Sequence, residues 1–299
     1  MVTVTVPATS ANLGSGFDSL GLALSLYNTV EMEESEQLDI YSMDGSFVPK
    51  TEQNMIYRTA RRVYEECGRP FTALRLGQRN PIPMARGLGS SSACIAAGIA
   101  GANALLGGPL TPEDMLALAC EIEGHPDNVA PALLGGFVSS VMEDGKVYTV
   151  RRDISRELSF AAFIPNFKLL TEKARAALPR QVDHRDAVYN VSRAALCAAA
   201  FCEERYELLS VATGDKLHQQ YRLPLIPGGA RIMEMAREQG ALASFVSGAG
   251  PTILAVVKTE NETFFENAAQ QLLQNEDTAE FKLLRLTASN AGATVYQEA

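Results

Sequence analysis

A chain of 299 residues with 46% hydrophobic content can bury one large core or two moderate ones and fold on its own. Its 26 basic and 35 acidic residues leave a net charge of -9 with no sharp basic cluster, which excludes a nucleic-acid backbone as partner. Cys67, Cys94, Cys120, Cys197 and Cys202 form no CxxC pair, and the three histidines lack zinc-ligand spacing, so reduced, buried thiols and no structural metal are expected.

Met1 to Val6 alternates as a strand does and lacks the basic start and apolar run of a signal peptide, so a cytoplasmic location is expected. Nowhere do about 18 apolar residues run uninterrupted, and no membrane span is expected. The nearest stretch, Ile95 to Leu106, contains Gly98 and Gly101 and reads as a tightly packed helix. Val2 to Val6, Thr29 to Met32, Leu38 to Tyr41 and Phe71 to Gly77 alternate as half-buried antiparallel strands do. Met55 to Cys67 has helical spacing and stops at Gly68. A loop over Arg79 to Gly89 leads into a small-residue helix from Ser90 to about Leu106. Thr111-Pro112-Glu113-Asp114 supplies an N-cap, a first-position proline and first-turn acids for a helix toward Glu123.

Phe137 to Met142 and Val147 to Val150 flank Asp144-Gly145, suited to a type I′ hairpin. With the earlier strands they close an N-terminal α+β half, residues 1–156. The second half, 157–299, reads as a strand (Leu158 to Ile164), helices around Thr171 to Ala177, Ala187 to Ala200 and Arg231 to Gln239, a strand pair around Ser247 to Gly250, a helix (Glu262 to Gln274) and closing strands. No linker separates the halves, so an active site is expected in the crevice between them.

Gly87 and Gly89 allow backbone amides close to a ligand, and Ser90-Ser91-Ser92 then open a helix whose free N–H groups favour an anion. An isolated Gly-x-Gly-Ser is equally a serine-capped glycine turn. A P-loop would need Gly-Lys-Ser/Thr, and a dinucleotide fingerprint a third glycine where Ser92 stands; neither fits.

What fits is the second motif of the GHMP kinases, which Pro83, Met84, Ala85, Arg86, Gly87, Leu88, Gly89, Ser90, Ser91, Ser92 and Ala93 resemble in order. That resemblance implies an α+β GHMP kinase fold, with a ribosomal-protein-S5-like N-terminal domain that binds ATP and a ferredoxin-like C-terminal domain. It also implies magnesium, with Ser91 and a glutamate as ligands. Pro7 to Asp18 resembles the N-terminal motif of homoserine kinases within that superfamily, and the likeness implies that Asn12 and Asp18 contact an amino-acid substrate. The residue-level alternative is that both merely bond a turn.

Glu121 to Pro131 resembles the same family. By that resemblance Asn128 stands where other GHMP kinases carry a catalytic aspartate, His125 faces substrate, and Glu123 helps to hold magnesium, with Glu121 as the alternative. Asp127 is a base only if turned inward. Thr171 to Pro179 matches a segment whose arginine, here Arg175, binds the substrate carboxylate, and Arg222 supplies a second guanidinium. Val246 to Thr252 matches the third superfamily motif, a glycine turn near the phosphate loop. The implied activity is ATP-dependent phosphorylation of the L-homoserine hydroxyl, with Asn128, Glu123 and Arg175 as its catalytic residues. The alternatives are another GHMP small-molecule kinase, such as a mevalonate kinase, or a non-catalytic sensor. The resemblance allows a homodimer.

Overall fold

The computed structural model describes residues 1–297, so the last two residues of the expected C-terminal half lie outside it. The chain begins with β1 (Val2–Ala11), β2 (Leu20–Ser35), β3 (Asp39–Ser42), α1 (Met55–Glu66), β4 (Ala73–Arg79), α2 (Ser90–Leu105), α3 (Pro112–Glu123) and α4 (Pro126–Leu134). It continues with β5 (Phe137–Glu143), β6 (Lys146–Arg152), β7 (Leu158–Pro165), α5 (Thr171–Ala176), α6 (His184–Cys202), α7 (Leu209–Ala212), α8 (Gln219–Arg222) and α9 (Gly229–Glu238). Last come β8 (Ala243–Val246), β9 (Ile253–Lys258), α10 (Glu262–Leu272), β10 (Phe281–Leu286) and β11 (Thr294–Gln297).

Two sheets result. The first has the order β11-β1-β2-β4-β3, with β5 and β6 attached to the first part of β2; the second is β10-β7-β9-β8. β1 runs past its alternating start because the register shifts between Pro7 and Ala8, after which Ala8 to Ala11 are all buried and no two-residue pattern marks them. β3 pairs with β4 in parallel, correcting the antiparallel expectation. Alternation reports which face is buried and not strand direction, and the long connection through α1 permits the parallel crossover. At the β5–β6 turn Asp144 and Gly145 take φ of 50° and 75°, as type I′ demands.

β7 enters the second sheet at Leu158, beside the expected boundary at 156/157, but residues 157–297 do not stay together. β11 returns to pair with β1, and Phe201 of α6 stacks on Phe137 of β5 with centroids 4.6 Å apart. The second sheet is covered on both faces, which is why β7 is apolar almost throughout. Phe160, Phe245 and Leu254 join the main core, while Phe163, Ile253 and Val257 meet Ile232, Met235 and Phe265 of α9 and α10.

α2 is the central helix. A Cβ at its Gly98 would lie 2.8 Å from the Ile56 carbonyl oxygen, so α1 and α2 pack backbone against backbone. α3 starts as its sequence dictates, with Thr111 and Asp114 forming a capping box ahead of Pro112, and it ends at Gly124. α4 follows after Gly124 and His125. No sequence expectation covered α4, because Pro126 and Pro131 obscure a short helix that is held by burial of Val129, Ala130 and Ala132.

Candidate active site

The loop Pro83 to Gly89 and the start of α2 form one wall of a cleft of about 230 Å³. Gly89 has φ of 67°, and a Cβ there would sit 1.9 Å from Thr9 Oγ1, so both conformation and space require glycine. The loop is pinned from three sides: Thr9 N–H donates to the Leu88 carbonyl at 3.2 Å, Ser247 Oγ to the Gly87 carbonyl at 2.6 Å, and Arg86 Nε to the Pro165 carbonyl at 2.8 Å. Among the described residues no side chain caps α2 and no acid lies in its first turn, so its N–H groups and positive dipole end are open to an anion. Within the expected run, Leu88 has a buried side chain and borders the cleft with backbone, while Ala93 is buried behind it, its N–H bonded to the Gly89 carbonyl at 2.8 Å. The Arg86 guanidinium is engaged by the carbonyls of Pro165, Asn166 and Met84, so it ties the loop to the second sheet.

Beside the loop, Glu123 accepts from Ser92 Oγ at 2.9 Å and from Ser91 Oγ at 3.4 Å. Glu121, the alternative, is exposed and paired with Arg62 at 3.3 Å on another face of α3. One carboxylate and two hydroxyls are hard oxygen donors that suit magnesium, which takes few protein ligands and keeps several waters. A second group, Asp18, His125 and Asp127, brings three ligand atoms within 4.8 Å. There the donors are taken: Asp18 is bonded to Arg175, and Asp127 Oδ1 lies 2.5 Å from His125 Nδ1.

The corner Glu123-Gly124-His125 turns the chain from α3 into α4 and presents His125, Asp127 and Asn128 together. Asn128 Oδ1 accepts from Thr9 Oγ1 at 2.7 Å, leaving its amide N–H for a ligand. Burial opposes charging of His125, but the bond to Asp127 and the charges of Asp127 and Glu123 outweigh burial and the nearby Arg175, so its pKa is raised.

The other wall gathers distant segments. Asn12, with φ of 69°, is consumed by local bonds: its Nδ2 donates to the Gly248 carbonyl at 2.8 Å and its Oδ1 accepts from Asp18 N–H at 3.0 Å. Its side chain therefore builds the corner on which the third glycine turn docks. Asp18 and Arg175, expected as separate contacts, are bonded to each other in bidentate fashion at 2.7 and 3.0 Å. Arg222 is 1% exposed and donates to the Gly248 carbonyl at 3.0 Å. Burial, then the neighbouring Arg175, pulls its pKa down to about 10. All five expected contacts, Asn12, Asp18, His125, Arg175 and Arg222, border the same cleft as the loop.

Sequence reading missed several participants. Thr9 carries no pattern that separates it from other strand residues. Phe17 stands beside Asp18, and His218 precedes Arg222 by one helical turn, a spacing that does signal a shared face. Also missed was an apolar cavity of about 390 Å³ behind Met84, Ala85 and Ser90, lined by Phe47, Pro49, Met55 and Ile82 with Asn54 and Asn80 among them.

The model of the GHMP kinases N terminal domain matches residues 54–136, and that of the GHMP kinases C terminal region matches 197–275. The chain is 46% identical over 298 residues to a homoserine kinase of Caldicellulosiruptor bescii, covering 99% of this chain and 97% of that one. It is 45% identical to a homoserine kinase of Clostridium beijerinckii, covering 99% of each. A solved homoserine kinase of Cytophaga hutchinsonii superposes with a TM-score of 0.85 at 28% identity, covering 99% of this chain and 97% of that one. A mevalonate kinase of L. major bound to R-mevalonate gives 0.71 at 15% identity over 96% of each chain, a likeness of fold alone.

Proposed function

This chain belongs to the homoserine kinase family of the GHMP kinases, and on that premise we propose that it transfers the γ-phosphoryl group of ATP to the hydroxyl of L-homoserine. The product, O-phospho-L-homoserine, serves threonine biosynthesis. The observation that carries the substrate is the charge pattern opposite the phosphate loop: the Asp18 carboxylate directly beside two guanidiniums, Arg175 and Arg222. That set complements an ammonium and a carboxylate on one small molecule. Mevalonate has no ammonium to take the place of Arg175 at Asp18.

Residues 1–156 bring the nucleotide groups, and 157–299, apart from β11, bring the two arginines. The amides at the start of α2 and the loop hold the phosphates, and the adjoining apolar cavity takes the nucleoside. Bound magnesium neutralises charge on the phosphoryl group, and Glu123 with Ser91 is suited to hold it. Homoserine exchanges the Asp18–Arg175 pair for two pairs of its own, so the loss of one bidentate contact is offset on binding. His125 and Arg222 complete its surroundings. Asn128, oriented by Thr9, holds the acceptor hydroxyl in line. An amide cannot take a proton as a carboxylate does; in a loose phosphoryl transfer the proton passes late, to a phosphoryl oxygen or to water, and positioning with electrostatics suffices. A cytoplasmic location and a homodimer accompany the reading, the latter tested by light scattering.

The experiment is purified protein with ATP, magnesium and a panel of homoserine, mevalonate, galactose and shikimate. ADP formation with homoserine is expected; none with any acceptor, or a preference for mevalonate, would overturn the assignment.

A further inference from the structure

Arg222 has, among the described residues, no carboxylate within 4.0 Å. A buried cation with no carboxylate bonded to it needs neutral acceptors to orient it. Two carbonyls supply part of that support, Gly248 at 3.0 Å and, more loosely, Ala174 at 3.5 Å from Nε. The remaining acceptor is an imidazole: Arg222 Nη1 lies 3.2 Å from His218 Nδ1.

His218 is fully buried, and its Nε2 lies 2.7 Å from the Gly14 carbonyl. A carbonyl only accepts, so Nε2 carries the hydrogen and Nδ1 presents its lone pair to the guanidinium. The charged groups that face the ring are Asp215, 3.8 Å from Nε2, together with Arg222 and Asp18. Asp215 is itself occupied by the backbone N–H groups of Leu217, His218 and Gln219 and by Asn190 Nδ2. Burial, aided by the charge of Arg222, outweighs both carboxylates and holds the ring neutral. Phe17 stacks on His218 with centroids 5.3 Å apart and planes 25° apart. The same ring carries Arg222 Cζ at 5.3 Å and Arg175 Cζ at 5.6 Å from its centroid. One aromatic thus supports two guanidiniums that repel each other.

We propose that His218 is the positioning residue of the acceptor-carboxylate site: as a neutral imidazole backed by Phe17, it fixes the Arg222 guanidinium so that its free N–H groups face the cleft. This rests on the reading that Arg222 meets the carboxylate of a hydroxy amino acid. His218 touches no reacting atom and acts only through Arg222.

Two variants separate its two contacts. Asparagine at 218 puts an amide near the place of Nδ1 and keeps an acceptor for Arg222; glutamine reaches the place of Nε2 and keeps the donor for Gly14. The expected result is that His218→Gln raises KM for homoserine about tenfold or more. Its kcat and its KM for ATP stay within about threefold, and His218→Asn retains most of the homoserine affinity. With 3-aminopropan-1-ol, an acceptor without a carboxylate, both variants should match the parent. Equal losses in the two variants, or the same loss with the amino alcohol, would reduce His218 to a packing residue. Parent enzyme that turns over homoserine beside an unchanged His218→Gln would sink this inference alone, whereas no turnover of homoserine by the parent would remove the functional reading and this inference with it. Nitrogen NMR on the unsubstituted protein needs no variant: an Nε2–H tautomer is expected across about pH 6 to 8, and an imidazolium or an Nδ1–H tautomer there would overturn the proposal.

Discussion

One wall of the cleft, Pro83 to Ser92, is a single run of chain built from a glycine loop and a helix start. The other is assembled from Asn12, Asp18, His125, Asp127, Asn128, Arg175, Arg222 and Gly248, which lie far apart in sequence and meet through side chains and the Gly248 carbonyl. The first wall needs only glycine conformations and a helix start, properties written in neighbouring residues. The second needs charges held against each other in a half-buried space, so each member's state depends on partners that the chain delivers from elsewhere. Specificity should therefore break on the assembled wall, and nucleotide use on the continuous one.

The largest effect is expected from Arg222→Met. The substrate carboxylate would keep Arg175 but lose its buried partner, a loss of about 3–4 kcal/mol, so kcat/KM for homoserine should fall about 10²–10³-fold while KM for ATP holds. A matching rise in KM for ATP would erase the contrast between the walls. Next is Glu123→Gln, for which a fall of about 10² in kcat and a higher magnesium requirement are expected. Glu121→Gln, on an exposed ion pair, should stay within about twofold. The reverse order would return the metal role to Glu121.

Gly89→Ala tests the continuous wall. Its Cβ would meet Thr9 Oγ1 at 1.9 Å, and Thr9 also orients Asn128. About 1–3 kcal/mol of strain and a rise in KM for ATP are expected, measured by melting and steady-state kinetics. Asn128→Asp should lower kcat by about tenfold, because a carboxylate next to the phosphoryl group adds repulsion. A large rise near neutral pH would show instead that a base is wanted.

The smallest effect concerns protons. Because the fold raises the His125 pKa through Asp127, the stability this pair adds is complete below the ordinary histidine value and is lost as pH rises through the raised one. In Asp127→Asn, NMR titration should find the His125 pKa lower than in the parent; an equal or higher value would remove Asp127 as the cause.

Much of this fold could be read in one dimension. The capping box at Thr111, the Asp144-Gly145 turn and the glycine-studded α2 each depend on residues within a turn or two, and the structure has them where local chemistry demands. The parallel pairing of β3 with β4 and the return of β11 to β1 could not be read, since neither strand carries a mark of its partner. α4 was hidden by its prolines. At the site, the motifs located Asn12, Asp18, His125, Arg175 and Arg222. They did not disclose that Asp18 and Arg175 bind each other, or that Asn12 spends its amide on a turn.

The sequence by itself determined a glycine loop before a small-residue helix, the residues that border it and the family the chain resembles, because those features are local in the chain or survive as spaced motifs. The tertiary structure alone decided which glutamate faces the loop, which carboxylate and guanidinium pair, and what orients the buried Arg222. Charge pairing, burial and ring stacking are properties of distances in space. Residues as remote as Phe17, His218 and Arg222 acquire them only when the glycine turn at Gly248 and the corner at Asn12 close on each other.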